Sequence, residues 1–172
     1  MMPYRIVEQL CVGCTACLTP CPVACITGAT RQLHWIDPEA CISCGACGIV
    51  CPTQAILDGA GEPVRFIKRR KQRPIAVVTE TLCSGCDYCA DVCPFDCLEV
   101  PRLPGVPQAV ATVSLVAPQA CIACRLCEDV CQKDAITVRF PDGTPFVPVD
   151  GVYRPTKFVR EEHEGPGAVA DA

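Results

Sequence analysis

One cysteine spacing recurs four times along the chain and constrains what the chain can fold into. Each copy reads C-x2-C-x2-C-x3-C; a proline follows the fourth cysteine in three copies, and Gln132 stands there in the last copy. Three thiolates spaced in this way on a tight loop reach three corners of one metal cluster, and the fourth points towards a neighbouring cluster. The sixteen cysteines are Cys11, Cys14, Cys17, Cys21, Cys41, Cys44, Cys47, Cys51, Cys83, Cys86, Cys89, Cys93, Cys121, Cys124, Cys127 and Cys131.

The spacing favours iron–sulfur ligation over two alternatives. Structural zinc is usually bound by two separated pairs of cysteines, and a disulfide framework gives no reason for one spacing to recur four times. The N-terminal sequence has no apolar stretch of signal-peptide length, so we expect the chain in the cytoplasm, where thiols stay reduced. Four complete ligand sets predict four [4Fe-4S] clusters. A zinc-stabilised structural adaptor is the alternative from a different class.

Composition and charge limit the partners. Aromatic residues make up 5% of the 172-residue chain, which is little for a conventional core, so metal binding must supply much of the folding energy. The formal charge of −4 would become about −12 with four oxidised clusters. Nucleic acid and anionic membranes are therefore poor partners, and no run of 18 apolar residues predicts a membrane span. Basic docking surfaces on redox proteins suit this charge.

The four motifs form two pairs and divide the chain into two units. We predict a first unit over 1–60, a basic linker over 61–74, a second unit over 75–140 and an extended, partner-binding tail over 141–172. Pro22 and its equivalents predict that each fourth cysteine begins a short helix. Apolar and β-branched residues predict short strands at 4–7, 26–27, 33–36, 75–80, 109–116 and 136–140.

Each unit resembles a bacterial two-cluster ferredoxin. The resemblance implies an α+β fold, with short helices and small antiparallel hairpins, present here as two tandem units. It also implies that the first three cysteines of one motif share a cluster with the fourth cysteine of its partner motif. The implied ligands are the Cys11 set (Cys11, Cys14, Cys17, Cys51), the Cys41 set (Cys41, Cys44, Cys47, Cys21), the Cys83 set (Cys83, Cys86, Cys89, Cys131) and the Cys121 set (Cys121, Cys124, Cys127, Cys93).

Several residues depart from the repeated pattern. Cys25 and Cys97 lie four residues after Cys21 and Cys93, where the second motifs have alanine. Each is either a small buried apolar residue or a thiol that tunes a cluster through an S–H···S contact or serves as a spare ligand. Glycine follows the second cysteine only at Gly45; Thr15, Asp87 and Arg125 replace it elsewhere. The two histidines, His34 and His163, have no ligand-like spacing, and we interpret both as structural or exposed.

Charge near the motifs and along the connecting segments gives further expectations. Arg125 beside the Cys121 set and Asp87 beside the Cys83 set predict that the Cys121 cluster is reduced first in its unit.

The linker carries six of the fifteen basic residues. It is either a solvated segment, or a strap of positive charge that lies across the acidic cluster units, or a docking site for a partner. The apolar residues of the tail predict that it wraps its own chain or a partner, while its end frays.

The sequence predicts electron transfer and no catalysis. It contains no glycine-rich nucleotide loop and no nucleophile–base pair, and every predicted cluster has a full ligand set. In size and arrangement the chain resembles small iron–sulfur subunits of multi-subunit oxidoreductases, such as tungsten-dependent aldehyde oxidoreductases or benzoyl-CoA reductases, and polyferredoxins. That resemblance implies a catalytic subunit as partner, with a flavoprotein subunit as a second. A freely diffusing polyferredoxin is the alternative, and self-association into a longer wire is a further expectation.

Overall fold

The computed structural model describes residues 3–101, 104–105 and 112–146, and the secondary structure in these ranges consists of short elements. The helices are α1 (Ala46–Val50), α2 (Tyr88–Asp91) and α3 (Leu126–Asp129), with single 3-10 turns at Glu8–Leu10 and Arg70–Gln72. The strands are β1 (Arg5–Ile6), β2 (Ile26–Thr27), β3 (Trp35–Ile36), β4 (Ile56–Leu57), β5 (Ile75–Val78), β6 (Leu98–Glu99), β7 (Ser114–Leu115) and β8 (Ile136–Arg139).

The strands form four small antiparallel pairs, nested in the same way in each unit. The first strand of a unit pairs with its last, β1 with β4 and β5 with β8, and the two inner strands pair with each other, β2 with β3 and β6 with β7. In β8, Ile136 and Val138 are buried and alternate with less buried residues, as the two-residue period of a strand requires. Val138 lies opposite the small Ala76 of β5. The chain is therefore a tandem α+β structure of short helices and small antiparallel sheets.

The predicted strands at 4–7, 26–27, 33–36, 75–80 and 136–140 each contain a strand of the structure. The predicted helix after each fourth cysteine is wrong. Helix α1 precedes its fourth cysteine, Cys51, and the residues after that cysteine form a turn. A helix cannot continue there because the third residue after every fourth cysteine has a left-handed backbone conformation. The φ angles are 49° at Ala24, 52° at Gln54, 48° at Asp96 and 50° at Asp134.

The cores of both units are built largely around cysteines. In the first unit, Cys17, Cys41, Cys47 and Cys51 are buried together with Ile56. In the second unit, Cys89 and Cys127 are buried with Val113 and Ile136, and further cysteines pack at the edge. Cysteine side chains thus occupy positions that aliphatic residues fill in most small domains.

The linker follows the surface of the first unit. The Val64 N–H donates to the Ile56 carbonyl and the Ile67 N–H to the Ile49 carbonyl, both at 2.9 Å. Gly48 permits this approach, since a Cβ there would lie 2.4 Å from the Val64 Cβ. The exposed residues of the linker include its basic side chains Arg65, Lys68, Arg69, Arg70 and Lys71.

Two sequence predictions fall partly outside the described residues. In the tail, residues 147–172 are not described, but its beginning folds back on β8. Pro145 forms a bridge with Arg139, and the rings of Phe140 and Phe146 meet edge to face at 5.6 Å. In the predicted strand 109–116, residues 109–111 are not described, and Ser114–Leu115 is the strand seen.

None of the described helices is long and apolar enough to cross a membrane.

Candidate metal centres

The four cysteines of the Cys11 set lie around one cavity of the first unit. All four line it, together with His34 and Ile56. Burial, together with the charges of Cys14, Cys51 and Cys11, raises the pKa of the Cys17 thiol to about 11. Two charges raise or lower each other's pKa strongly only at short range. The sulfur atoms of this set are therefore neighbours, although Cys51 comes from the other motif.

The Cys41 set is the most enclosed of the four. Burial raises the pKa of Cys47 well above its usual value, and Cys44, Cys41 and Cys21 add to the rise. Cys41, Cys44 and Cys47 are all buried, whereas Cys21 is half-buried. The fourth cysteine of the first motif therefore lies with the first three of the second motif.

The second unit repeats this arrangement. One cavity is lined by the whole Cys83 set and another by the whole Cys121 set. Burial raises the pKa of Cys89 to about 11, with Cys86, Cys83 and Cys131 contributing. No three His, Cys, Asp or Glu side chains in the described ranges converge on the position of a single metal ion. The structure therefore places the Cys11, Cys83 and Cys121 sets around one cavity each and Cys21 near the Cys41 motif; the assignment of these cysteines as cluster ligands stays a prediction.

The loops that carry the cysteines have a repeated backbone conformation. The residue before each second cysteine and the residue after it both have left-handed φ angles, between 57° and 78°. Such angles are costly for most residues other than glycine, asparagine and aspartate. Of the residues that replace the expected glycine, Asp87 tolerates such an angle, whereas Thr15 and Arg125 adopt it despite the cost. At Gly45 a side chain is further hindered, because a Cβ would lie 3.1 Å from the Tyr4 hydroxyl oxygen.

Each fourth cysteine accepts a backbone hydrogen bond at its sulfur. The donor is the N–H of the residue four positions later, and the N···S distances are 3.2–3.3 Å. An N–H directed at sulfur stabilises the thiolate, which is the form that binds metal. Four thiolates around a cavity with such donors fit an anionic iron–sulfur cluster. The pairs are Cys25 with Cys21, Ala55 with Cys51, Cys97 with Cys93 and Ala135 with Cys131.

Cys25 and Cys97 are both buried, but their thiols have different partners. The Cys25 sulfur lies 3.4 Å from that of Cys21 and also hydrogen-bonds to Cys41. These bonds raise the pKa of Cys25, so it stays a thiol and donates, and they lower the pKa of both Cys21 and Cys41. The Cys97 thiol donates to the Phe95 carbonyl at 3.5 Å and also hydrogen-bonds to one ligand cysteine, Cys93. Burial is the main cause of its raised pKa, with smaller contributions that include Cys93.

His34 is buried against the cavity of the Cys11 set. The sequence allowed either a structural or an exposed histidine, and the prediction of an exposed side chain is wrong. It is 2% exposed and lines that cavity. Its Nδ1 lies 3.0 Å from the Gln32 carbonyl oxygen, which can only accept, so Nδ1 donates. Its Nε2 is buried and has no hydrogen-bond partner within the described part of the chain. No spacing in the sequence indicated this position; His163 lies outside the described residues.

The charge of Arg125 is partly compensated. Its Nε lies 2.7 Å from Oε2 of Glu128 in the first turn of α3, and both side chains are partly buried. From the sequence alone, Arg125 is expected to act as an isolated cation beside the Cys121 set. The ion pair reduces the field that this residue produces at the cysteines.

Two family models with the same description match this chain. A model described as a 4Fe-4S dicluster domain matches residues 10–56 and again 82–136, and a second model with the same description matches 34–100. Among curated proteins, a subunit of the ion-translocating oxidoreductase complex of Thiobacillus denitrificans is 55% identical over 29 residues, 17% of this chain and 15% of that protein. The corresponding protein of Escherichia fergusonii is 45% identical over 40 residues, 21% of each chain. The matches thus span about a fifth or less of these relatives.

One solved structure shows a partial likeness. It is the formate dehydrogenase–heterodisulfide reductase–formylmethanofuran dehydrogenase complex from Methanospirillum hungatei. The matched chain is 26% identical, and the match covers 78% of the present chain and 53% of the other, with a TM-score of 0.33.

Proposed function

Because the chain belongs to the 4Fe-4S dicluster family, we propose that it is an electron-transfer protein that carries four [4Fe-4S] clusters and has no catalytic site of its own. The first unit, residues 1–60, holds two clusters with the Cys11 and Cys41 sets. The second unit, residues 75–140, holds two with the Cys83 and Cys121 sets. Bound clusters supply one-electron redox chemistry, with potentials set by their net charge, hydrogen bonds to sulfur and solvent exposure.

The convergence of cysteines from paired motifs carries this proposal. Each set takes its fourth cysteine from another motif, 20 or more residues away in the sequence, and in each set the backbone donates an N–H to that sulfur. A simple zinc adaptor has no need for this crossed pattern, since a pair of cysteines on each of two loops suffices. Closed sets with four protein ligands suit electron transfer without ligand exchange.

Metal analysis of the anaerobically purified protein tests the cluster content. Four clusters require about sixteen irons and sixteen inorganic sulfides per chain. The protein should be brown and lose visible absorption on reduction. About four zinc ions without sulfide would instead support the structural adaptor.

We extend the proposal to the partners. The relatives are named as subunits of an ion-translocating oxidoreductase complex, and on that basis this chain relays electrons within a multi-subunit oxidoreductase, between a catalytic subunit and a flavoprotein subunit. Sixteen reduced thiols are required for cluster assembly, which agrees with a cytoplasmic location. Residues 141–172 would bind a partner.

Purification from the native host, followed by identification of the proteins that co-elute, tests the relay. A chain lacking residues 147–172 should lose its partner and keep its iron. A truncated chain that still co-elutes with the partner would remove the tail from the proposal. A full-length chain that elutes alone would favour the freely diffusing carrier.

A further inference from the structure

The two units meet through corresponding positions of their second motifs. In the second motif of each unit, the residue after the first cysteine, the second cysteine and the residue two positions after the second cysteine make the contact. The same three motif positions therefore face the other unit in both units. The residues are Ile42, Cys44 and Ala46 in the first unit and Ile122, Cys124 and Leu126 in the second, and they pack in one apolar cluster.

The first motifs have the opposite exposure. Cys44 and Cys124 are 8% and 9% exposed, whereas their equivalents Cys14 and Cys86 are exposed to solvent. Val12, which corresponds to Ile42, is 61% exposed. One spacing thus produces two inner sets that face each other and two outer sets that each present a cysteine to solvent.

Buried contacts connect neighbouring sets in a line. Cys44 and Cys124 belong to the apolar cluster between the units. Within the first unit, Cys17 and Cys47 are buried in one cluster. Within the second unit, Cys89 and Cys127 are buried in one cluster.

We propose that Cys44 and Cys124 join the four sets into one electron path, in the order Cys11 set, Cys41 set, Cys121 set, Cys83 set. This proposal rests on the proposed function. Cys14 and Cys86 form the two ends. At one end a reduced flavin or iron–sulfur carrier of a partner is oxidised by one electron, and at the other an oxidised carrier of the same class is reduced by one. No bond forms or breaks.

Removing the outer or the inner sets in the full-length chain tests the order. The first variant carries Cys11→Ser and Cys83→Ser, and the second carries Cys41→Ser and Cys121→Ser. After reduction with dithionite, the variant that keeps the inner sets should show EPR signals broadened by spin–spin interaction between the units. The variant that keeps the outer sets should show two narrow, non-interacting signals. The reverse pattern, or equal spectra, would overturn the order.

A second pair of variants tests the contact without touching a ligand. Ile42→Asn with Ile122→Asn places polar groups in the buried junction, and Val12→Asn with Ser84→Asn introduces the same two asparagines at the exposed equivalents. We expect loss of the inter-unit broadening in the first pair alone, with iron content unchanged in both. Broadening that survives in the first pair would reject the junction. Iron absent from the wild-type chain would instead refute the proposed function.

A different observation supports a second inference, which concerns His34. Ile36 pairs with Ile26, and Leu115 pairs with Leu98 at the same place in the second unit. His34 and Val113, each two residues earlier, are therefore equivalent, and both are buried. The first unit thus places an imidazole beside its outer cysteine set, where the second unit has an apolar side chain.

Buried polar atoms in folded proteins nearly always have a partner. Nε2 of His34 has none within the described part of the chain, and the ring lines the cavity that the Cys11 set surrounds. We infer that this nitrogen contacts the cluster held by the Cys11 set and contributes to its redox potential. This inference also rests on the proposed function.

Pulsed EPR on the reduced holoprotein tests the contact directly. A histidine nitrogen beside the cluster should give a hyperfine coupling that changes on 15N-histidine labelling. His34→Val, which copies Val113, should abolish the coupling and shift the potential of that cluster alone. The chain has two histidines, so His163→Val is the matched control and should retain both. A wild-type signal from the Cys11 cluster without any histidine coupling would overturn the inference, whereas absence of iron would refute the proposed function.

Discussion

Cys25 of the first unit and Cys97 of the second occupy the same motif position, yet their thiols are used differently. Cys25 hydrogen-bonds to Cys21 and Cys41, two members of one ligand set, whereas Cys97 donates to the Phe95 carbonyl and hydrogen-bonds to one ligand, Cys93. The backbone N–H of each residue makes the same bond to a fourth cysteine. The repeated spacing therefore determines the backbone, and the neighbours of each side chain decide what the thiol does.

The same contrast extends to the outer sets. His34 lines the cavity of the Cys11 set, and the equivalent Val113 offers only its backbone N–H, which donates to the Cys83 sulfur at 3.5 Å. The side-chain hydrogen bonds to sulfur that distinguish the first unit come instead from Cys25, which donates to Cys21, and from Thr53, whose hydroxyl lies 3.6 Å from the Cys51 sulfur. Hydrogen bonds to sulfur favour the added electron. We therefore expect the cluster of the Cys41 set to be reduced at a higher potential than that of the Cys121 set.

The largest effect should come from removing a crossed ligand. Cys21→Ser should cost the cluster of the Cys41 set, about four irons, and leave the second unit intact, because Cys21 lies with the second motif of its own unit. Cys93→Ser should do the same to the Cys121 set. Iron analysis and EPR measure both. Loss of a second-unit signal in Cys21→Ser would contradict the tandem arrangement.

A smaller effect, on thermal stability, is expected from a substitution where the linker packs against the first unit. Gly48→Ala places a Cβ 2.4 Å from Val64, and such overpacking costs about 1–3 kcal/mol, of which the helix preference of alanine offsets up to about 1 kcal/mol. The temperature at which visible absorption is lost should therefore fall. Glu128→Ala, at the same position of the second unit, should cost about 1 kcal/mol or less. Equal losses in both would show that the linker contact contributes nothing.

Removing the extra thiols tests the comparison itself. Cys25→Ala deletes hydrogen bonds to two ligands and should lower the potential of the Cys41 cluster by roughly 40 mV, taking about 1 kcal/mol for the lost bonds. Alanine is the residue at the equivalent positions 55 and 135, so the backbone should tolerate it. Cys97→Ala should shift its cluster less. Redox titration followed by EPR decides, and a larger shift for Cys97→Ala would reverse the assignment of roles.

The sequence predicted which cysteines lie around each cavity because the spacing restricts their positions strongly. Three cysteines within seven residues must share a loop, and the apolar segments beside them pair as strands, as at Ile26 and Ile136. The helix position was wrong because Pro22 is compatible with both a helix start and a turn. The left-handed residue two positions later excludes the helix, and non-glycine residues such as Ala24 give no sign of that conformation in the sequence.

Contacts between distant residues were not predictable in the same way. Ile42 and Val12 follow equivalent cysteines and are both aliphatic, yet one is buried at the junction and the other is exposed. The difference arises from how two folded units pack, which no local pattern records. His34 was missed for a related reason, since its role depends on the β2–β3 pairing that turns it towards the Cys11 set.

The smallest effect should come from the charge beside the Cys121 set. Arg125 alone would raise the potential of that cluster, but its ion pair with Glu128 cancels part of the field. Arg125→Ala leaves the carboxylate and should lower the potential by roughly 20 mV, whereas Glu128→Gln leaves the cation and should raise it by a similar amount. Opposite shifts in redox titration would also support reduction of the Cys121 cluster before the Cys83 cluster. Shifts of the same sign would mean that the substitutions act through the loop conformation, since Arg125 adopts a left-handed φ of 68°.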